Sequence, residues 1–114
     1  METKVNHKII KKALEGKHIH VEAFGQKYDT IITIDKYRQN GRTAIELITA
    51  DEYEPFCTLT CNLDHVPLND REVIVKTWSE NEEVAACALA SGLFRDTGKR
   101  ALTGFVLAQI WEVL

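Results

Sequence analysis

KYDTIITIDKYRQNGRTAIELI, residues 27–48, decides the fold class. Residues 27–37 are rich in β-branched and aromatic side chains, and RTAIELI (42–48) repeats that composition after Asn40-Gly41. Asn-Gly accepts positive φ at both central positions of a type I′ turn, so the stretch predicts an antiparallel hairpin. Upstream, HIHVEAF (18–24) predicts another strand, joined through a two-residue Gly25-Gln26 turn with glycine first.

Downstream, DEYEP (51–55) is an acidic turn. FCTLTCNL (56–63) alternates with period two, placing Cys57, Leu59, Cys61 and Leu63 on one face of a strand. DHVPLNDRE (64–72) reads as a loop and VIVKTW (73–78) as a short strand. Ser79 and Glu82 form an S-x-x-E capping box, with Glu80, Glu82 and Glu83 in the first turn, predicting a helix over about 80–91. Gly92 stands where a left-handed helix C-cap belongs, and Asp96-Thr97-Gly98 reads as a tight turn. GFVLAQIWEVL (104–114) is expected to be the last strand, with a helix the alternative. At the other end, Val5, Ile9, Ile10, Ala13 and Leu14 mark one face of a short helix stopped by Gly16. Together these elements predict a single α+β domain over residues 1–114. Its mostly antiparallel sheet has five or six strands, with one capped helix between the last two and a short N-terminal helix.

The chain has 114 residues, 45% hydrophobic and 27% charged, with a net charge of −3. That suits one soluble core and excludes wholesale disorder. There is no h-region at the N-terminus, and the longest apolar run, VAACALA (84–90), is too short for a membrane span. Three cysteines make no disulfide framework, so a cytoplasmic location with reduced thiols is expected. Residues 1–17 hold five lysines against two glutamates, a local +3 that leaves −6 on the body. The acidic body argues against a general nucleic-acid coat, while Lys4, Lys8, Lys11 and Lys12 keep a local nucleic-acid contact open.

SGLFRDTGKR (91–100) superficially resembles a phosphate loop, but five residues separate Gly92 from Gly98 where four are needed. Arg100 replaces the magnesium-binding hydroxyl, and the stretch leaves a helix instead of entering one. What remains is a small basic cluster, Arg95, Lys99 and Arg100, a candidate partner contact. Cys57 and Cys61, four residues apart on a strand, are about 13 Å apart, too far for a disulfide and awkward for one zinc ion. They and Cys87 read as small hydrophobes. His18 and His20 share a strand face and would need a third metal ligand, with His65 and Asp64 the candidates. Ser79 has a capping role, no G-x-S-x-G elbow is present, and the acidic clusters serve turns and the helix start. Trp78 and Trp111 are expected to fill the core. No catalytic, cofactor or metal residue is assigned.

The TLT-x-NL strand (Thr58–Leu63), VKTWSENE (Val75–Glu82), the DTG turn (Asp96–Gly98) and the terminal GFV…W (Gly104–Trp111) resemble a family of small proteins. That family is a domain of unknown function found in gut bacteria, phages, plasmids and conjugative elements. The resemblance spans residues 36–111 and leaves out the basic N-terminal helix. The family pattern has an aliphatic residue where Cys61 stands and a proline where this chain has Gln109, so Cys61 is not expected to be an essential ligand. No catalytic residue transfers. The resemblance implies an accessory protein of mobile elements. The function expected is non-enzymatic binding of a protein partner, through Arg95, Lys99 and Arg100 or through the acidic turn Asp51–Glu54. The alternatives are a nucleic-acid-associated accessory factor and, less favoured, a metal-dependent or hydrolytic enzyme.

Overall fold

The computed structural model describes residues 7–114. It has two α-helices and seven strands in two antiparallel sheets, an α+β fold dominated by sheet. Helix α1 (His7–Leu14) buries Ile10 and Leu14 completely and packs on the first sheet. Of the apolar face read from the sequence, Ile9, Ile10, Ala13 and Leu14 are on the side that docks, and Val5 lies outside the described residues. Gly16, at φ +82°, ends the helix and donates its N–H to the Ile32 carbonyl.

The first sheet runs in chain order: β1 (His18–Ala23), β2 (Gln26–Lys36), β3 (Thr43–Thr49) and β4 (Pro55–Thr58). The expected hairpins form, but both turns differ from expectation. Ala23 pairs with Gln26, so the tight turn is Phe24-Gly25, with φ of 55° and 73°. Glycine comes second, as a type I′ turn allows. Between β2 and β3 the strands part earlier: Tyr37 N–H donates to the Arg42 carbonyl and Gly41 N–H to the Tyr37 carbonyl. Only Gly41 of the Asn-Gly pair takes positive φ, so the type I′ turn is replaced by a longer loop.

The second sheet is β5 (Glu72–Val75), β7 (Val106–Val113) and β6 (Phe94–Thr103), in that spatial order. The anticipated strand 56–63 does not run through. It stops at Thr58, and the next three residues stitch the sheets together. Leu59 N–H bonds the Ile45 carbonyl of β3, while Cys61 N–H bonds the Ile74 carbonyl of β5. Between them Thr60 faces both ways: its backbone bridges Val75, and its hydroxyl accepts the Ile45 N–H at 3.0 Å and meets the Tyr37 hydroxyl at 2.9 Å. A threonine side chain thus supplies the acceptor that a continuing β4 would have offered. Buried amides require such a partner.

Helix α2 (Glu82–Ala90) follows a 3-10 turn, Ser79–Asn81. The capping box is absent. Ser79 sits at φ +59°, and Asn81 precedes the helix without capping it, because its side-chain amide is committed to the Thr58 carbonyl at 2.8 Å. Val84, Ala85 and Ala88 are buried against the sheet. The helix also covers the free edge of β1: Phe24 N–H donates to Glu83 Oε2 at 2.9 Å, and Glu22 N–H approaches Cys87 Sγ at 3.4 Å. Side chains four apart on a helix match amides two apart on a strand, because both repeats advance about 6–7 Å.

The larger core joins both sheets and both helices around Trp111, whose ring meets Phe94 at 5.4 Å. A smaller core gathers Val66, Leu68, Ile74, Ala101, Ala108 and Ile110, with Trp78 against it, under the 62–70 loop. Arg42 fastens that loop by donating to the Leu63 and Val66 carbonyls. In place of one sheet of five or six strands, seven strands form two sheets, of four and three. The additional strand is β6, in which Asp96-Thr97-Gly98, a turn by sequence, is carried within the strand.

Candidate docking surface

Arg95, Lys99 and Arg100 all lie on β6, but the register divides them between its two faces, Arg95 and the Lys99 partner Glu72 on one and Arg100 on the other, and each is already matched. Arg95 Nε lies 3.2 Å from Glu112 of β7. Lys99 Nζ lies 2.6 Å from Glu72 of β5, whose side chain is only 5% exposed. Arg100 binds both Asp96 carboxylate oxygens, at 2.9 and 3.0 Å. These hydrogen bonds, with a further one from Gly98 N–H, hold the Asp96 carboxyl below its ordinary range. The β6–β7 register slips between Asp96 and Arg100, and Gly98 takes φ +84°. The DTG sequence is thus a bulge inside a strand. The bulge turns Lys99 and Arg100 onto their carboxylates, so β6 is charge-balanced and not cationic.

The other candidates do not assemble into a reactive site. His18 and His20 do share an exposed face of β1, and both Nδ1 atoms approach Asp29, at 3.0 and 3.4 Å. His65 and Asp64, the proposed further ligands, line a different groove with Tyr37 and Asn62. Among the described residues no three His, Cys, Asp or Glu side chains are arranged to hold a metal ion. Cys57 and Cys61 do not share a strand face: Cys57 packs on the larger core and Cys61 on the smaller. Burial pushes the Cys57 thiol up to about 11 and raises Cys61 as well, the opposite of nucleophile activation. Of the helix carboxylates, Glu80 pairs with Lys76 at 2.6 Å and Glu83 serves the β1 edge. In the acidic turn, Thr49 clasps both ends, receiving Tyr53 N–H on its carbonyl and Glu54 N–H on its hydroxyl. Lys4 lies outside the described residues. Lys8, Lys11 and Lys12 are exposed on a docked helix, with Lys11 Nζ 3.8 Å from Glu15. Among the described residues no helix is long and apolar enough to cross a membrane.

One surface feature escaped the sequence reading. Six large hydrophobic side chains are exposed among the described residues, and three sit on one hairpin: Leu102 (66%), Phe105 (106%) and Leu107 (55%). Thr103 pairs with Val106 around a two-residue Gly104-Phe105 turn, with Gly104 at φ +60°, as a type II′ turn requires. β5 reaches only as far as Gln109 along β7, so beyond it β6 and β7 continue as a two-stranded ribbon. One ribbon face is covered, with Ala101 and Ala108 in the smaller core. The other carries Leu102 directly across from Leu107, both exposed. The available signal was a Gly-Phe pair flanked by apolar residues, which fits a glycine-first hairpin turn.

No family model matches the chain, and no curated protein or solved structure is significantly similar to it.

Proposed function

We propose that this protein is a non-enzymatic binding domain that recognises a protein partner through the β6–β7 ribbon. The observation that carries the reading is the apolar group Leu102, Phe105 and Leu107 on a ribbon that extends past its neighbouring strand. Exposed contiguous apolar residues on an otherwise polar domain mark interaction sites. Large side chains of this kind anchor partners when they fill a pocket. Arg100, paired with Asp96 on the same face as Leu102, forms the rim, where it sets register more than affinity, while Arg95 and Lys99 pair with Glu112 and Glu72 on the opposite face. The mobile-element setting suggested by the resemblance is proposed with it, as an accessory role.

The test is site-specific photo-crosslinking in the source cells, with a benzoylphenylalanine at position 105 and, as control, at the exposed Tyr53. A discrete protein adduct from position 105 that survives nuclease, with none from position 53, supports the reading. No adduct at 105, or the same adducts from both positions, overturns it.

A further inference from the structure

Among the described residues the fold disposes of its sheet edges one by one, and a single stretch is left over. The β1 edge is covered by α2 through Glu83 and Cys87. β4 is four residues long and starts with Pro55, which has no N–H to offer. The outer side of β5 is taken by Leu59–Cys61. The remaining edge is the outer side of β6. Its first half is interrupted by the bulge at Asp96–Arg100, while Arg100–Thr103 runs straight and has β7 as its one strand neighbour.

The register states which groups this edge presents. In a two-residue hairpin the flanking pair, Thr103 and Val106, exchanges hydrogen bonds, so the next pair, Leu102 and Leu107, points its N–H and C=O groups outward. Leu102 therefore offers one donor and one acceptor to the open edge, beneath an exposed apolar side chain. A second copy offers the same set. Two β6 edges placed antiparallel about a two-fold axis at Leu102 exchange both hydrogen bonds between Leu102 and its symmetry mate. They also align Leu107, Leu102 and the two symmetry-related leucines in one apolar row across four strands. Arg100 then stands opposite Gly104 of the other copy. The two Arg100 side chains lie about 13 Å apart, beyond the Debye length of about 8 Å at physiological ionic strength. The intrachain pairs with Glu112, Glu72 and Asp96 leave no uncompensated charge on β6 to repel the second chain.

We infer that the occupant of this edge is a second copy of the chain, joined through antiparallel β6–β6 pairing centred on Leu102. This rests on the reading of the ribbon as a protein-docking surface. The contact is short, and interfaces of that size are weak. Dimerisation is therefore measured by sedimentation equilibrium from about 1 to 500 µM under reducing conditions, a range suited to weak self-association.

Wild type is expected to show a reversible monomer–dimer equilibrium. Leu102→Pro, which removes only an outward N–H, and Leu102→Glu are both expected to stay monomeric with unchanged far-UV circular dichroism. Leu102→Cys reports directly under mild oxidation. An antiparallel hydrogen-bonded pair sets the Cα atoms about 5.5 Å apart, within disulfide reach. It is expected to form a covalent dimer much faster than Leu107→Cys or wild type. A wild type monomeric throughout the range, or Leu107→Cys crosslinking as fast as Leu102→Cys, overturns the inference. If the purified protein is monomeric while position 105 still captures a different protein in cells, self-pairing is wrong and the docking reading stands. If neither occurs, both fail.

Discussion

Replacing Thr60 with valine is expected to be more damaging than replacing it with serine, although valine is the better hydrophobe. Thr60 is 4% exposed at the seam between the sheets. Its hydroxyl is the acceptor for the Ile45 amide in the centre of β3 and the partner of the Tyr37 hydroxyl. Valine has nearly the same shape and a strand preference as good, so it opens no cavity and strains no backbone. The loss is polar. Orphaning a buried amide costs about 1–3 kcal/mol, and the half-buried Tyr37 bond adds about 0.5–1.5 kcal/mol, part of it recovered from water. The expected total is about 2–3 kcal/mol. Serine keeps the oxygen and gives up one methyl, for about 1 kcal/mol. Urea unfolding followed by the fluorescence of buried Trp111 measures the difference. At roughly 4 °C or more per kcal/mol, a thermal midpoint about 10 °C lower or more is expected for Thr60→Val. A second reading comes from Tyr37, whose hydroxyl is raised by burial and pulled back by Thr60. In Thr60→Val its titration, followed by NMR on labelled tyrosine, moves further up. If Thr60→Val is as stable as Thr60→Ser, the seam is held by packing alone and the argument is wrong.

Four other outcomes follow from the same structure. Ile10→Ala is expected to cost about 2–5 kcal/mol in urea unfolding, because Ile10 is fully buried on the inner face of α1; deleting residues 1–17 would remove Ile10 and Leu14 from the core together, so charge reversal at Lys8 and Lys12 is the proper test for nucleic-acid binding. Glu83→Ala is expected to speed hydrogen exchange of the Phe24 amide by about three- to tenfold while Glu83→Gln, which keeps an acceptor, does so less. The Asp96 carboxyl is depressed by Arg100 and Gly98, so its contribution to stability is full above its unfolded pKa of about 3.9 and is lost as pH falls through the lower folded value; urea midpoints of Asp96→Asn are expected to decline less than those of wild type between about pH 4 and pH 2. With its thiol pushed up to about 11, Cys57 is expected to react with iodoacetamide at pH 8 about 100-fold more slowly than an ordinary thiol, read by peptide mass spectrometry.

The parts of the fold visible in the sequence are those governed by local periodicity. β1, β2, β3 and β7 carry alternating or continuous β-branched residues, and α1 carries an apolar stripe, so each sits within a residue or two of its expected place. The misreadings share a different cause: a local signal was outbid by a tertiary partner. The Ser79 capping box gave way to a 3-10 turn, Ser79–Asn81, that brings Asn81 Nδ2 to the Thr58 carbonyl of a distant segment. The clean alternation of 56–63 was broken because Thr60 serves two sheets at once. RDTGKR carries turn residues, and they do make a turn-like feature, but the hydrogen bonds of β7 on either side absorb it as a bulge. The three cations of the candidate surface were visible, while their acidic partners lie on other strands or hide within the bulge. Leu102 and Leu107 look like core residues by alternation. That they are bare depends on how far the larger core reaches along β7: it covers Trp111 and Val113 on the same face and stops short of Leu107, which no pattern within 94–114 records.

The bulge gives the remaining edge its reach. If β6 were regular from Phe94 to Thr103, its outer side would be a flat ten-residue template open to any extended chain. Gly98 at positive φ and the Asp96–Arg100 pair twist the first half away, so continuous pairing is confined to the stretch from Arg100 to the Gly104 turn. Within that stretch the exposed side chains are Arg100 and Leu102, and the apolar character is completed from the turn and β7 by Phe105 and Leu107. Pairing is thus limited in length and tied to one register by the leucine row. Straightening the bulge, for example by Gly98→Val with Asp96→Thr, is expected to lengthen the usable edge and tighten the closed two-fold pairing, seen as a lower dimer dissociation constant in sedimentation equilibrium. An unchanged constant in a folded double variant would show that the bulge does not limit this edge.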